Sequence, residues 1–165
     1  MKEKACSRLD KMVNITNDPS ILSSAGSLAR DCGNFEQSLV IFKNIEDKAP
    51  HFRLWFKKDY AWTFLISQYM EKIDNFDEAK FFINNQLDKQ FKEDGINEMW
   101  LIMLAYIASV EGDTDKAKNY FNEQTKMTNP INVIWSNKYP DILDENPAFR
   151  DSFFSELEKL GLKLK

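Results

Sequence analysis

The stretch Trp100–Gln124 leaves the chain few choices of fold. Gly112-Asp113 interrupts two amphipathic segments so briefly that they must pack as an antiparallel helical hairpin. Leu101, Leu104, Ala105 and Ala108 are spaced three and four residues apart and share one helix face. Ala105 and Ala108 are small enough for a neighbouring helix to come close. Gly112 can take the left-handed conformation that closes a helix. Asp113 or Thr114 can cap the next one, and Asp115 lies in its first turn, where the helix dipole favours an acid. Ala117 and Phe121 then share a face. Each helix keeps an apolar stripe that the other covers only in part.

The same pattern recurs. Leu22, Ala25, Gly26 and Ala29 line one face before a break at Gly33-Asn34, and Phe35, Ser38, Leu39, Phe42 and Ile45 follow, with Pro50 after them. His51–Ile73 is the longest helical pattern, aromatic-rich and apolar over more than half its girth, and so reads as the most buried element. It ends at Asp74-Asn75, where Asp74 stands in the place of glycine. Phe76, Ala79, Phe82, Ile83 and Leu87 form the helix after it. Gly33, Asp74 and Gly112 are 41 and then 38 residues apart. A helix–turn–helix unit recurring at such a period is the mark of an α-solenoid.

The flanks differ. Ala5, Leu9, Met12 and Val13 outline a leading helix over Lys4–Ile15, and Asp18-Pro19 restarts the chain as N-cap and first turn. Lys92-Glu93-Asp94-Gly95 links the second unit to the third. Pro130 and Pro140 bracket a loop with a short helix. Asn146-Pro147 then opens a last helix, cored by Phe149, Phe153, Phe154, Leu157 and Leu160 and stopped by Gly161. The 165 residues read as one all-α domain, with 43% hydrophobic residues to build its core and few glycines and prolines to turn a β-fold.

A net charge of −4 and a pI near 5.1 argue against nucleic acid or a membrane surface as a general partner. No run approaches the roughly 20 apolar residues that span a bilayer. The charged start, M-K-E-K-A-C-S-R, lacks the apolar centre of a signal peptide, so the chain reads as cytoplasmic. Cys6 and Cys32 have no metal spacing and read as small, buried or half-buried side chains, not as a disulfide.

These residues resemble tetratricopeptide repeats. That family places a small residue in mid first helix, Gly-Asp or Gly-Asn at the turn, an aromatic next, Ala in the second helix, then an aromatic and a late Pro. The first unit matches through Leu22, Gly26, Ala29, Gly33, Asn34, Phe35, Phe42 and Pro50, with Ser38 in place of the Ala. The second matches through Ser67, Asn75, Phe76 and Ala79, and the third through Leu101, Leu104, Ala105, Ala108, Gly112, Asp113, Ala117 and Phe121. The resemblance implies a right-handed α–α superhelix of about eight helices, caps included. It has a leading helix over 1–17, repeats at 19–52, 60–93 and 98–131, and a capping tail over 132–165. The tail is similar to the close of many bacterial tetratricopeptide proteins, often regulators or multidomain signalling proteins.

What the resemblance implies for function is a non-enzymatic scaffold that holds a peptide or partner domain in a concave groove. The alternative is a self-associating or intramolecular regulatory domain of a larger bacterial signalling or transcription-regulatory protein, possible homo-oligomer included. First helices line the groove in that family, which here nominates Arg30, Phe64, Gln68, Glu71, Met99, Met103 and Tyr106; the alternative for Phe64, Met99 and Met103 is cover by the leading helix or the C-terminal tail. The clamp by which some members grip a chaperone's terminal carboxylate is missing. Its places hold Ser23, Ser27, Leu65, Met99 and Met103.

Nothing points to catalysis, a metal or a cofactor. His51 is the single histidine and follows Pro50 at a helix start, a surface or capping place. No glycine-rich phosphate loop or nucleophile elbow occurs. Asp77-Glu78 suits the first turn of a helix.

Overall fold

The structure is a computed structural model, which describes residues 2–52, 54–89, 96–127, 130 and 140–163. The described residues are all-helical, with no strand among them. The helices are α1 (Lys2–Cys6), α2 (Leu9–Asn14), α3 (Pro19–Asp31), α4 (Phe35–Lys48), α5 (Leu54–Glu71), α6 (Asp77–Asp88), α7 (Ile96–Val110), α8 (Thr114–Met127), α9 (Pro140–Asp144) and α10 (Pro147–Lys159). The expected loop between Pro130 and Pro140, and the link Lys92–Gly95, lie outside the described residues. The chain forms two compact units, Met1–Ser67 and Gln68–Lys165, so the boundary falls inside α5 and inside the second expected repeat.

In the first unit, α3 and α4 make the expected hairpin. Asp18 accepts a hydrogen bond from the Ser20 N–H (2.8 Å), with Pro19 in the first turn. Leu22, Ala25, Gly26 and Ala29 are all buried on one face. Gly26 lets Phe42 come in against the α3 backbone. A Cβ there would stand 2.5 Å from the ring. Ser38, which takes the place of the family's Ala, donates its hydroxyl to the Gly26 carbonyl (2.7 Å) and so ties the hairpin at its closest point. Phe42 also meets Phe56 and Tyr60 of α5, with ring centroids 5.5 and 5.6 Å apart.

Two sequence expectations about this unit are corrected. The leading helix is two pieces, α1 and α2. Ser7 turns its hydroxyl onto the Lys4 carbonyl (3.0 Å), which competes with helix continuation. Cys6 and Cys32 are joined in a disulfide. The end of α1 lies beside the C-cap of α3, with a Cα–Cα distance of 5.9 Å, well inside bridging range.

In the second unit, α7 packs against α6, α8 and α10. Every residue from Met99 to Ala108 is buried, so α7 is enclosed on all sides and lacks the one-sided stripe expected of it. Asp113 accepts from the Lys116 N–H (3.1 Å) as the cap of α8. Asn146 precedes Pro147 as expected but does not cap α10. Its amide donates back to the Ile142 carbonyl (2.9 Å).

One helix terminator recurs through both units. Gly33 has φ +80°, the Asn34 N–H reaches the Ala29 carbonyl, and the Gly33 N–H reaches that of Arg30. This is a Schellman close. Gly112 (φ +82°) repeats it, with bonds from Asp113 to Ala108 and from Gly112 to Ser109. Gly161 (φ +113°) does so again, with Leu162 bonded to Leu157. At the end of α5 the left-handed residue is Lys72 (φ +55°), with Ile73 bonded to Gln68 (3.0 Å). Lys72, not Asp74, is thus the counterpart of Gly33 and Gly112. In that register the terminators are 39 and 40 residues apart, closer to a constant period than the sequence alone suggested.

Candidate binding site

The expected groove residues divide by burial and pairing. Arg30 is locked within the first unit. Its guanidinium pairs with Asp59, with Asp31 (3.1 Å) and with the Thr63 hydroxyl (3.3 Å). Ser27 donates to Asp59 as well. A nearly buried cation needs such partners to stay charged, and this set leaves Arg30 little for a ligand. Phe64 is buried and stacks on Tyr60 with centroids 4.7 Å apart. Met99 and Met103 have no exposed surface. Glu71 is exposed.

Gln68 and Tyr106 line an open cavity of about 520 Å³ in the second unit. That volume falls in the range of small-ligand and peptide-anchor sites. Its walls are the end of α5 with the turn after it, the end of α7, and α10. The Schellman close at Lys72 shapes the first wall by turning Ile73 and Asp74 onto the rim. Met70, Ile73 and Val110 leave large apolar surface exposed there.

The floor is aromatic. Tyr69 and Tyr106 meet Phe149 edge-on, both with centroids 5.8 Å apart, and Tyr106 also meets Phe153 at 5.0 Å. Burial pushes the Tyr106 hydroxyl up to about 12, against the opposing effect of its hydrogen bond with Ser152. It stays protonated at neutral pH. The Gln68 Oε1 atom is buried without a hydrogen-bond partner.

Glu156 supplies the charge. Ser109 Oγ donates to its Oε2 and Lys159 Nζ to its Oε1, both at 2.6 Å. Burial raises the Glu156 carboxyl, but the bonds from Lys159 and Ser109 outweigh it and hold the group below its ordinary value. Lys72 and Asp74 are the other ionisable groups of the lining apart from the tyrosines.

Sequence reasoning missed Tyr69, Ser152 and Glu156. Ser152 and Glu156 are four residues apart at the edge of the apolar face of α10, a helix read only as a cap. No group of three or more potential metal ligands occurs among the described residues. Among the described residues no helix is long and apolar enough to cross a membrane. Compared with known proteins, the chain matches no family model, no curated sequence and no solved structure.

Proposed function

We propose that the chain is a non-enzymatic interaction module of tetratricopeptide type, and that it receives a short segment of a protein partner in the second-unit cavity. The observation that carries this reading is a ligand-sized hollow with an exposed apolar rim at Met70, Ile73 and Val110. Apolar surface of this kind next to a concavity marks a contact site more often than a bare surface. Two residues nominated from the family, Gln68 and Tyr106, belong to it. The repeat reading is supported by the shared terminator at Gly33, Lys72 and Gly112 and by the close approach at Gly26. The superhelix is part of the proposal.

For location, the Cys6–Cys32 bond weighs toward an oxidising compartment and against the cytoplasmic setting read from the sequence, since reducing cytosol keeps most thiols open. Alkylation of acid-quenched cells decides it: a protected pair supports the oxidising setting, two free thiols the cytoplasmic one.

The binding reading is tested by selecting a displayed random-peptide library on the protein and measuring each hit against Val110→Trp, whose indole obstructs one wall of the hollow. Hits that lose binding to the variant support the proposal. A library that yields no binder, or hits that bind both proteins equally, defeats it.

A further inference from the structure

The chemistry of the cavity narrows the partner, on the premise that the cavity binds a peptide segment at all. We propose that it takes a basic side chain, whose charged head replaces Lys159 on Glu156 while its aliphatic stem lies against Val110 and Ile73.

Three features lead there. The charged groups of the lining are two carboxylates, Glu156 and Asp74, against a single cation at Lys72. An anionic ligand would meet two carboxylates. A purely apolar one would bury part of a charged carboxylate. A guanidinium or ammonium brings several donors and no acceptor, which matches that set.

The second feature is the counter-ion already present. The Glu156 side chain is 18% exposed, whereas its partner Lys159 is 62% exposed. The carboxylate is fixed from inside by Ser109 (2.6 Å), but its cation reaches in from solvent on a flexible stem. Exposed pairs of this sort contribute little and exchange readily. Lys159 thus acts as a tethered competitor that occupies the carboxylate until a better-placed cation arrives.

The third is the wall. Tyr69, half-buried in the same lining, provides aromatic surface, whereas Tyr106 is almost wholly covered; an accessible aromatic face favours cations over neutral polar groups. The net charge of −4 adds a weak field of the same sign.

The experiment uses the full chain and capped tripeptides Ac-Ala-X-Ala-NH2, with X as arginine, its neutral isostere citrulline, leucine or glutamate. Amide shifts of Val110, Ser152 and Glu156 are followed by NMR. The arginine peptide should move these amides and bind at least severalfold more tightly than the citrulline peptide. Lys159→Ala removes the competitor, and as an exposed change it leaves the fold alone. It should tighten arginine binding about two- to fivefold, the scale of an exposed ion pair, and leave leucine binding unchanged. Glu156→Gln should reduce arginine to the level of citrulline.

Equal binding of arginine and citrulline, or no response to Lys159→Ala, overturns the inference. Leucine binding as tight as arginine binding overturns it while sustaining the peptide reading. If none of the peptides moves the cavity amides, both fall. Agmatine, a guanidinium with no peptide, serves as the remaining arm. If it binds as tightly as the arginine peptide, the cation chemistry stands and the peptide-segment premise fails.

Discussion

Gly26→Ala is the sharpest probe of the first hairpin. The added Cβ would stand 2.5, 2.8 and 3.0 Å from Cε1, Cδ1 and Cζ of Phe42. Contacts of that kind cannot persist, so either the ring or the helix must move. Phe42 is fully buried, with Phe56 and Tyr60 against it, so the ring has little room to swing. Moving α3 away from α4 strains the bond from Ser38 to the Gly26 carbonyl. Overpacking of this sort costs about 1–3 kcal/mol, and a buried hydrogen bond about 1 more. Alanine returns about 1 kcal/mol through its helix propensity.

The net expectation is a loss of about 2 kcal/mol, or a fall in Tm of roughly 4–8 °C for a chain of this length. Urea and thermal unfolding followed by circular dichroism measure it. The informative control is Phe42→Leu, which removes the ring with its Cε1 and Cζ atoms. In that background Gly26→Ala should become neutral or slightly stabilising, giving a coupling of about 2 kcal/mol, within the range for residues in contact. A neutral or stabilising Gly26→Ala in the unaltered chain would refute the reasoning. So would strict additivity with Phe42→Leu.

The disulfide closes a span of 26 residues, for which chain entropy predicts about 3.5 kcal/mol. Cys6→Ser with Cys32→Ser should therefore lower the unfolding midpoint, and titration with a thiol reagent should find no free thiol in the native, air-oxidised protein. Lys72→Gly removes a side chain from left-handed backbone and should raise stability by about 1 kcal/mol, read as an upward shift of the urea midpoint. Gly112→Ala, at φ +82°, should lower it by about the same amount. The folded state lowers the Glu156 carboxyl below its unfolded value, so its stabilisation is present above that ordinary value of about 4.3 and is lost as pH falls through the folded value. Glu156→Gln should flatten the acid limb of the stability–pH curve, and an unchanged slope would remove Glu156 from that account.

What the sequence revealed of the fold was written in local devices. Gly33 and Gly112 mark helix ends because glycine takes positive φ without strain, and Asp18 and Asn34 mark starts because their side chains accept from the next turn. Lys72 does the work of Gly33 with no such residue type to announce it, and Asp74-Asn75, two residues on, carries the only turn-forming residue types there. The Cys6–Cys32 bond depends on where α1 lies against the end of α3. That is a fact of tertiary packing, and it leaves no trace in cysteine spacing. The burial of α7 could have been read further. W-L-I-M-L-A-Y-I-A is apolar around its whole girth, and picking one stripe from it understated how completely neighbours enclose the helix.

The site was half legible for a related reason. Carrying positions over from a repeat family assumes that first helices face an open groove. Phe64, Met99, Met103 and Tyr106 all have almost no exposed surface, yet Tyr106, like Gln68 towards the end of its helix, borders the cavity. The deciding partners come from α10, more than forty residues beyond Tyr106. Phe149, Phe153, Phe154 and Leu157 bury one face of that helix, and helical spacing then sets Ser152 and Glu156 together at its margin. A helix that seals a core with one face must present the border of that face to whatever lies beside it. Here that border holds a carboxylate and a hydroxyl, so the sealing helix adds to the polarity that Gln68, Lys72 and Asp74 bring to the cavity. Glu156→Gln tests that dual role in one variant: cation recognition should fall while the Phe149–Leu157 face, and with it most of the stability at neutral pH, stays in place.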